Sequence, residues 1–216
     1  MGPWPHYLFK TRRTGPQDYL CEFDHDDIER ARRAVLWRGE WRHQTEQVLE
    51  LMDRLGLTGD GQRVLDYGCG VGRVAAELLA RHRSTVLGID RSPAMRRHAR
   101  AALDPYLATG AATIGSDTDL LGSATWETFD VVLMIEVAQH IPEPILAGIL
   151  PRLRRMLAPG GRLFVYGNEV LDVDRAGRIS TTPVRDVVAA HLRVVREDRW
   201  PFDPDPRTSL LCAGDE

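Results

Sequence analysis

The stretch Val64–Leu79 reads VLDYGCGVGRVAAELL, and it constrains the fold of this chain more than any other segment. An apolar run ends at Asp66, and Gly68, Gly70 and Gly72 then lead directly into a helical pattern. Glycines at alternate positions let the backbone turn tightly and let a ligand approach a helix N-terminus with no Cβ in the way. Such a turn serves a dinucleotide, a phosphate or a close helix–strand contact. Spacing separates these readings. Dinucleotide folds use G-x-G-x-x-G and phosphate loops end in G-K-S or G-K-T, whereas here Arg73 follows Gly72 and no lysine is near. A pyrophosphate cradle is therefore the weaker choice.

Beyond this segment, short apolar runs alternate with helical stretches: AAELLARH, TVLGID, the Met95–Leu107 region, and so on to GRLFVYG. That alternation argues for βαβ units and a parallel sheet. Val64–Leu65, Val86–Ile89 and Val131–Ile135 are apolar at nearly every position, as expected of central strands covered on both faces. After Gly167 a polar stretch leads to a short helix near Val184–His191 and then to LRVVREDRW and TSLLCAG. The PFDPDPR between them is short enough for a hairpin-type link, so these last strands are expected to be antiparallel neighbours. Upstream, Ile28, Ala31, Ala34 and Val35, then Val48, Leu49, Leu51, Met52 and Leu55, recur at helical steps. Two helices should precede a core that starts at about Arg63, with Gly56 and LTGDGQ closing the second.

A length of 216 residues suits one α/β domain with short additions, so an acceptor pocket has to come from those additions. Basic residues number 28 and acidic ones 31, a net charge of -3, which lacks the positive excess that broad phosphate binding needs and disfavours a nucleic-acid partner. Lys10 is the only lysine, a bias from which no activity is inferred. The N-terminal MGPWPHYLFKTRR has no uninterrupted apolar core, and no later run approaches the roughly 20 apolar residues that span a bilayer; the expectation is a cytoplasmic protein without a membrane partner. Cys21, Cys69 and Cys212 are odd in number and widely separated, and are read as free thiols.

Asp90 ends the expected strand VLGID and lies 22 positions beyond Gly68, where a βαβ crossover returns the chain beside the glycine turn. A carboxylate there can accept hydrogen bonds from ribose hydroxyls. At this point the sequence resembles the class I S-adenosylmethionine-dependent methyltransferases over roughly Val64–Gly167. The resemblance rests on five blocks: D-x-G-x-G-x-G at Asp66–Gly72; GID and SPAM at Gly88–Asp90 and Ser92–Met95; GSDTDLL around Asp117; FDVVLMIEVAQHIPEP at Phe129–Pro144; and LAPGGRLFV at Leu157–Val165. It implies a Rossmann-like three-layer α/β sandwich with a seven-stranded, mostly parallel sheet whose last strand is antiparallel, plus N-terminal helices. Residues 1–62 would form a helical lid or cap and 63–216 the core. It further implies S-adenosylmethionine as cofactor, S-adenosylhomocysteine as product, and a cofactor site drawn from Asp66, Gly68, Gly70, Gly72, Asp90, Arg91, Met95, Asp117, Thr118, Ile135 and Arg42. Individual positions keep bland readings: Asp66 can simply cap the turn, and Met95 can be packing.

Methyl transfer from a sulfonium is an in-line displacement, so holding donor and acceptor together supplies most of the catalysis. A base is needed only when the acceptor loses a proton. The family places such groups after the fourth strand, where this chain has Glu136 and His140. His140 is either that base or a residue that orients the helix starting near Pro142. The EVAQHIPEP pattern is similar to ubiquinone-biosynthesis O-methyltransferases, in which E-x-x-E-H is common and a metal accompanies some members. Gln139 stands here at the second acidic position, and a neutral amide weakens a Mg²⁺ site, so no catalytic metal is expected.

Aromatics cluster before the core at Trp4, Tyr7, Phe9, Tyr19, Phe23, Trp37 and Trp41. Of these, Tyr7, Tyr19, Trp37 and Trp41 are the candidates to wall an acceptor, although Trp37 and Trp41 equally suit helix packing. Arg38 or Arg42 can meet the cofactor carboxylate. The leading functional reading is methylation of a small molecule at oxygen, nitrogen or carbon, by a monomer or a homodimer. A protein or RNA methyltransferase and a non-catalytic cofactor-binding module are the alternatives.

Overall fold

Side chains of a strand point alternately to opposite faces of the sheet, and the buried residues of this chain sort on that rule. Leu65, Leu87, Val132, Met134, Leu163 and Val165 belong to one apolar cluster. Their chain neighbours Val64, Val86, Val131, Leu133, Phe164 and Tyr166 belong to another. The sheet therefore has a core on each side, as a three-layer sandwich requires. The computed structural model describes residues 26–34, 41–118, 128–168, 183–200 and 207–214.

In chain order the elements are α1 (Ile28–Ala34), α2 (Trp41–Arg54), β1 (Arg63–Tyr67), α3 (Arg73–Arg81), β2 (Thr85–Ile89), α4 (Pro93–Ala102), α5 (Asp104–Ala108), β3 (Ala112–Gly115) and β4 (Phe129–Ile135). A 3₁₀ turn (Ala138–His140), α6 (Glu143–Arg155), β5 (Leu157–Asn168), α7 (Val184–His191), β6 (Arg193–Trp200) and β7 (Arg207–Ala213) follow. The seven strands form one sheet in the order β3-β2-β1-β4-β5-β7-β6. Strands β1 to β5 pair in parallel, and β7 runs antiparallel to both β5 and β6. The antiparallel pairing of the last two strands is thus as the sequence predicts.

Helices α2, α3 and α4 cover one face through residues such as Leu49, Met52, Leu78 and Ala99. Helices α6 and α7 cover the other through Leu146, Leu150, Leu153 and Val188. Helix α6 buries Leu146, Ile149, Leu150 and Leu153, a single stripe at three- and four-residue steps. Glu143 in its first turn and Arg152, Arg154 and Arg155 in its last complement the helix dipole.

The structure departs from the sequence reading in three local respects. The Met95–Leu107 region is two helices rather than one, because Leu103 leaves helical geometry at φ -107 and ψ 10 and Pro105, which has no N–H to donate, sits in the first turn of α5. Strand β1 also runs one residue past Asp66, to Tyr67, and β2 stops at Ile89, leaving Asp90 in the loop after it, where its carboxylate accepts from backbone N–H groups. Cys69 and Cys212 are buried free thiols, and Cys21 lies outside the described residues. Among the described residues no helix is long and apolar enough to cross a membrane.

Candidate cofactor and acceptor site

From β3, at the sheet edge, the chain crosses back to β4 on the far side of β1. The strand order reverses between β1 and β4, and crevices at such switch points, outside the carboxyl ends of the strands, are where open α/β sheets take ligands. Register brings the relevant residues to one edge: Asp66 lies beside Gly88 and Leu133, Ile89 beside Gly115, and Ile135 beside Tyr166. The glycine turn, Asp90, Asp117, Glu136 and Gly167 all follow directly on these rows.

Gly68, Gly70 and Gly72 have φ of 85°, 55° and 80°, the left-handed region that side chains resist. At Gly68 space is equally short: a Cβ there would lie 2.3 Å from Cγ2 and 2.8 Å from Cγ1 of Val137, in the loop after β4. The N–H groups of Gly68 and Cys69 both donate to the Ile89 carbonyl, at 2.7 and 3.0 Å. Asp90 completes the turn. Its Oδ2 accepts from the Gly70 N–H and its Oδ1 from the Ser92 N–H, each at 2.9 Å. Burial pushes the Asp90 carboxyl above its ordinary range, and these two bonds oppose the shift. Each carboxylate oxygen carries a second lone pair, so the same group can still receive ribose hydroxyls.

Behind the turn lies a buried polar cluster. Asp66 is 3% exposed, and burial pushes its carboxyl up to about 7, against the pull of the Arg73 cation and with a further push from Asp90. Arg73 donates from Nη1 to Oγ1 of buried Thr45 on α2 at 3.0 Å. Desolvation lowers its pKa, while Asp66 and Tyr166 hold the proton on. Burial pushes Tyr166 up to about 12, again with Arg73 opposing. The sequence reading considered Arg38 and Arg42 for a cationic role and overlooked Arg73. The available signal was an arginine directly after the last glycine of the turn.

At the far end, Arg91 Nε and Asp117 Oδ2 form an ion pair at 3.1 Å. The Thr118 N–H donates to Asp117 Oδ1 at 3.1 Å, and the Ser116 and Thr118 hydroxyls lie 2.7 Å apart. Arg96 Nη1 donates to the carbonyls of Asp90 and Arg91 at 2.7 and 2.9 Å, pinning the loop that carries them. Met95 is fully buried against Ala31 of α1 and Val71 of the glycine turn, so its side chain is packing between these elements.

Across the switch point, β4 ends at Ile135, and Glu136 turns the chain with φ 59°. The Glu136 N–H donates to the Tyr166 carbonyl at 2.6 Å, and its Oε2 accepts from Gln139 Nε2 at 2.9 Å. His140 closes the 3₁₀ turn with its N–H on the Val137 carbonyl at 2.9 Å. Trp41 and Arg42 open α2, but their side chains lie outside the described residues. Tyr7, Tyr19, Trp37 and Arg38 lie outside them altogether.

Residues 65–163 match the family described as a methyltransferase domain. The chain is 34% identical over 105 residues to the ubiquinone biosynthesis O-methyltransferase of Vibrio cholerae serotype O1, covering 48% of this chain and 41% of that relative. It is 33% identical over 156 residues to the enzyme of that name from Pseudomonas fluorescens, covering 67% and 63%. Among solved structures, the magnesium protoporphyrin IX methyltransferase of Synechocystis with bound S-adenosylhomocysteine superposes with a TM-score of 0.67 at 18% identity, covering 93% of this chain and 100% of that one. Over residues 65–163 the chain thus resembles methyltransferase domains, and its fold is that of the magnesium protoporphyrin IX methyltransferase structure. The chain is similar to the ubiquinone biosynthesis O-methyltransferases over part of their length, spanning 41% of the first of those relatives and 63% of the second.

Proposed function

We propose that the protein is an S-adenosylmethionine-dependent methyltransferase that acts on a small molecule. The observation that carries this is the glycine turn at the β1/β4 switch point, bare of Cβ atoms at Gly68, Gly70 and Gly72 and bonded at 2.9 Å to the Asp90 carboxylate. The donor set suits the cofactor. Asp90 would take the ribose hydroxyls, and Asp117 with Thr118 and Arg91 the adenine end. Gly68, Gly70 and Gly72 would lie along the methionine portion, with Ile135 beneath it and Arg42 and Arg73 near its carboxylate. Asp90, Asp117 and Glu136 set three carboxyl groups along the edge that would face a cationic cofactor.

When bound, S-adenosylmethionine supplies an electrophilic methyl group. What the chain contributes is position and, for an acceptor that carries a proton, a group to receive it. Glu136 and His140 are the groups available at the end of β4. We assign the segment up to the first residue of α2 as a cap over the acceptor, with Tyr7, Tyr19, Trp37 and Trp41 as its apolar wall; α2 itself, which the sequence placed within a cap of residues 1–62, packs on the sheet through Leu49 and Met52. A cytoplasmic location and the absence of a nucleic-acid partner belong to the same proposal, supported by the net charge of -3.

The test incubates the protein with methyl-labelled S-adenosylmethionine and a metabolite extract, and in parallel with bulk protein and RNA. Label in small, acid-soluble products is expected. Label confined to the acid-precipitated fraction would replace the small-molecule reading with the macromolecular one. No transfer in any arm would leave a cofactor-binding module.

A further inference from the structure

Glu136 is the only non-glycine residue with positive φ among the described residues. Holding a glutamate in that region costs on the order of 1 kcal/mol, and such strain persists where the surroundings impose it. Here two neighbours impose it. The strand behind Glu136 fixes its N–H on the Tyr166 carbonyl, and the Gln139 amide fixes its carboxylate. Gln139 is itself held by an unusual feature of β5. A Cβ on Gly167 would lie 2.5 Å from Gln139 Oε1, 3.0 Å from its Cδ and 3.1 Å from its Nε2. Gly167 does not have positive φ, so its backbone would accept alanine; what its bareness provides is a seat for the amide. A residue on β5, one on the 3₁₀ turn and one at the end of β4 thus form a chain of contacts ending on a carboxylate beside the glycine turn.

We propose that Gln139, seated on Gly167, is a positioning residue that aims Glu136 at the acceptor, and that the acceptor is an alcohol, phenol or amine whose O–H or N–H the carboxylate receives. This rests on the methyltransferase reading above. As the acceptor heteroatom gains the methyl group, its proton passes to Glu136 and then to water, and the sulfonium sulfur keeps the electron pair of the broken S–C bond. An amide serves this purpose better than a carboxylate at position 139, because it donates to Glu136 rather than repelling it.

The test is a cycle of Glu136→Gln, Gln139→Leu and the double variant, with Gly167→Ala and the isosteric Gln139→Glu as independent ways to break the seat. Turnover is followed by the labelled product formed with the metabolite extract, and cofactor-site integrity by S-adenosylhomocysteine affinity. Gln139→Leu, Gln139→Glu and Gly167→Ala are each expected to slow turnover by roughly 10- to 100-fold, with S-adenosylhomocysteine affinity unchanged within about twofold. The double variant should be no slower than Glu136→Gln alone, because Gln139 acts through Glu136. Independent of any acceptor, the Gln139 side-chain amide protons should give a shifted, slowly exchanging pair in nitrogen-15 spectra, lost in Glu136→Gln and in Gly167→Ala. Multiplicative losses in the double variant, or an amide pair indifferent to both substitutions, would overturn the proposal. Absence of labelled product in the parent would instead defeat the methyltransferase reading, while the spectra still decide the contact.

Discussion

Replacing Gly68 with alanine separates two costs that the structure assigns to one position. The backbone cost comes from φ 85°, which a side chain tolerates at about 1–2 kcal/mol. The packing cost comes from Val137, whose Cγ2 and Cγ1 would lie 2.3 and 2.8 Å from the new methyl group, so that one of the two segments must move by about 1 Å to reach ordinary contact. Overpacking of that kind costs about 1–3 kcal/mol. Gly68→Ala should therefore destabilise the protein by about 2–5 kcal/mol, a fall in Tm of roughly 5–20 °C at this chain length. Val137→Ala removes both clashing methyls and leaves only its Cβ, 3.0 Å away, so in that background the same substitution should cost little beyond the backbone part. Urea denaturation of the four proteins measures the coupling, expected at about 1–3 kcal/mol. A Gly68→Ala cost that is the same with and without Val137 would refute the claim that this loop is seated on the bare glycine.

Two further outcomes follow from the same site. Asp66 titrates near 7 in the folded chain but near 3.8 when unfolded, so the folded state binds more protons across that interval. Its contribution to stability is then full below about pH 4 and lost as pH rises through 7; Asp66→Asn should remove that slope, and identical stability–pH curves for the two proteins would show that Asp66 is not buried as described. Deleting residues 1–19 should leave a protein that folds and binds S-adenosylhomocysteine but transfers label at a severely reduced rate; transfer at the parent rate would move the acceptor pocket away from the N-terminal segment.

The sheet was legible because Val64–Leu65, Val86–Ile89 and Val131–Ile135 carry near-continuous apolar runs, which only strands covered on both faces sustain. The meeting of the glycine turn with Asp90 was legible because both lie within one βαβ unit, so local order in sequence fixes proximity in space. The pairing of Gln139 with Gly167 was hidden, since it joins a turn to a neighbouring strand and depends on the β4–β5 register. Arg73 was hidden for another reason. An arginine one residue into a helix reads as a solvent group, and only the approach of Thr45 from α2 and of Tyr166 from β5 makes it part of a buried cluster. The split of Met95–Leu107 turned on Pro105, a breaker whose effect the apolar periodicity masked.

The central claim, that the glycine turn and Asp90 form the cofactor site, is tested most directly by titrating S-adenosylhomocysteine calorimetrically into the parent and into Asp90→Ala, with Asp90→Asn and a melting curve to verify that each variant is folded. The carboxylate both anchors the turn at 2.9 Å and would receive the ribose, so its loss should cost about 1.5–3 kcal/mol, or roughly 10- to 150-fold in affinity, with one site per chain in the parent. Equal affinity in the parent and in a folded Asp90→Ala variant would contradict the account.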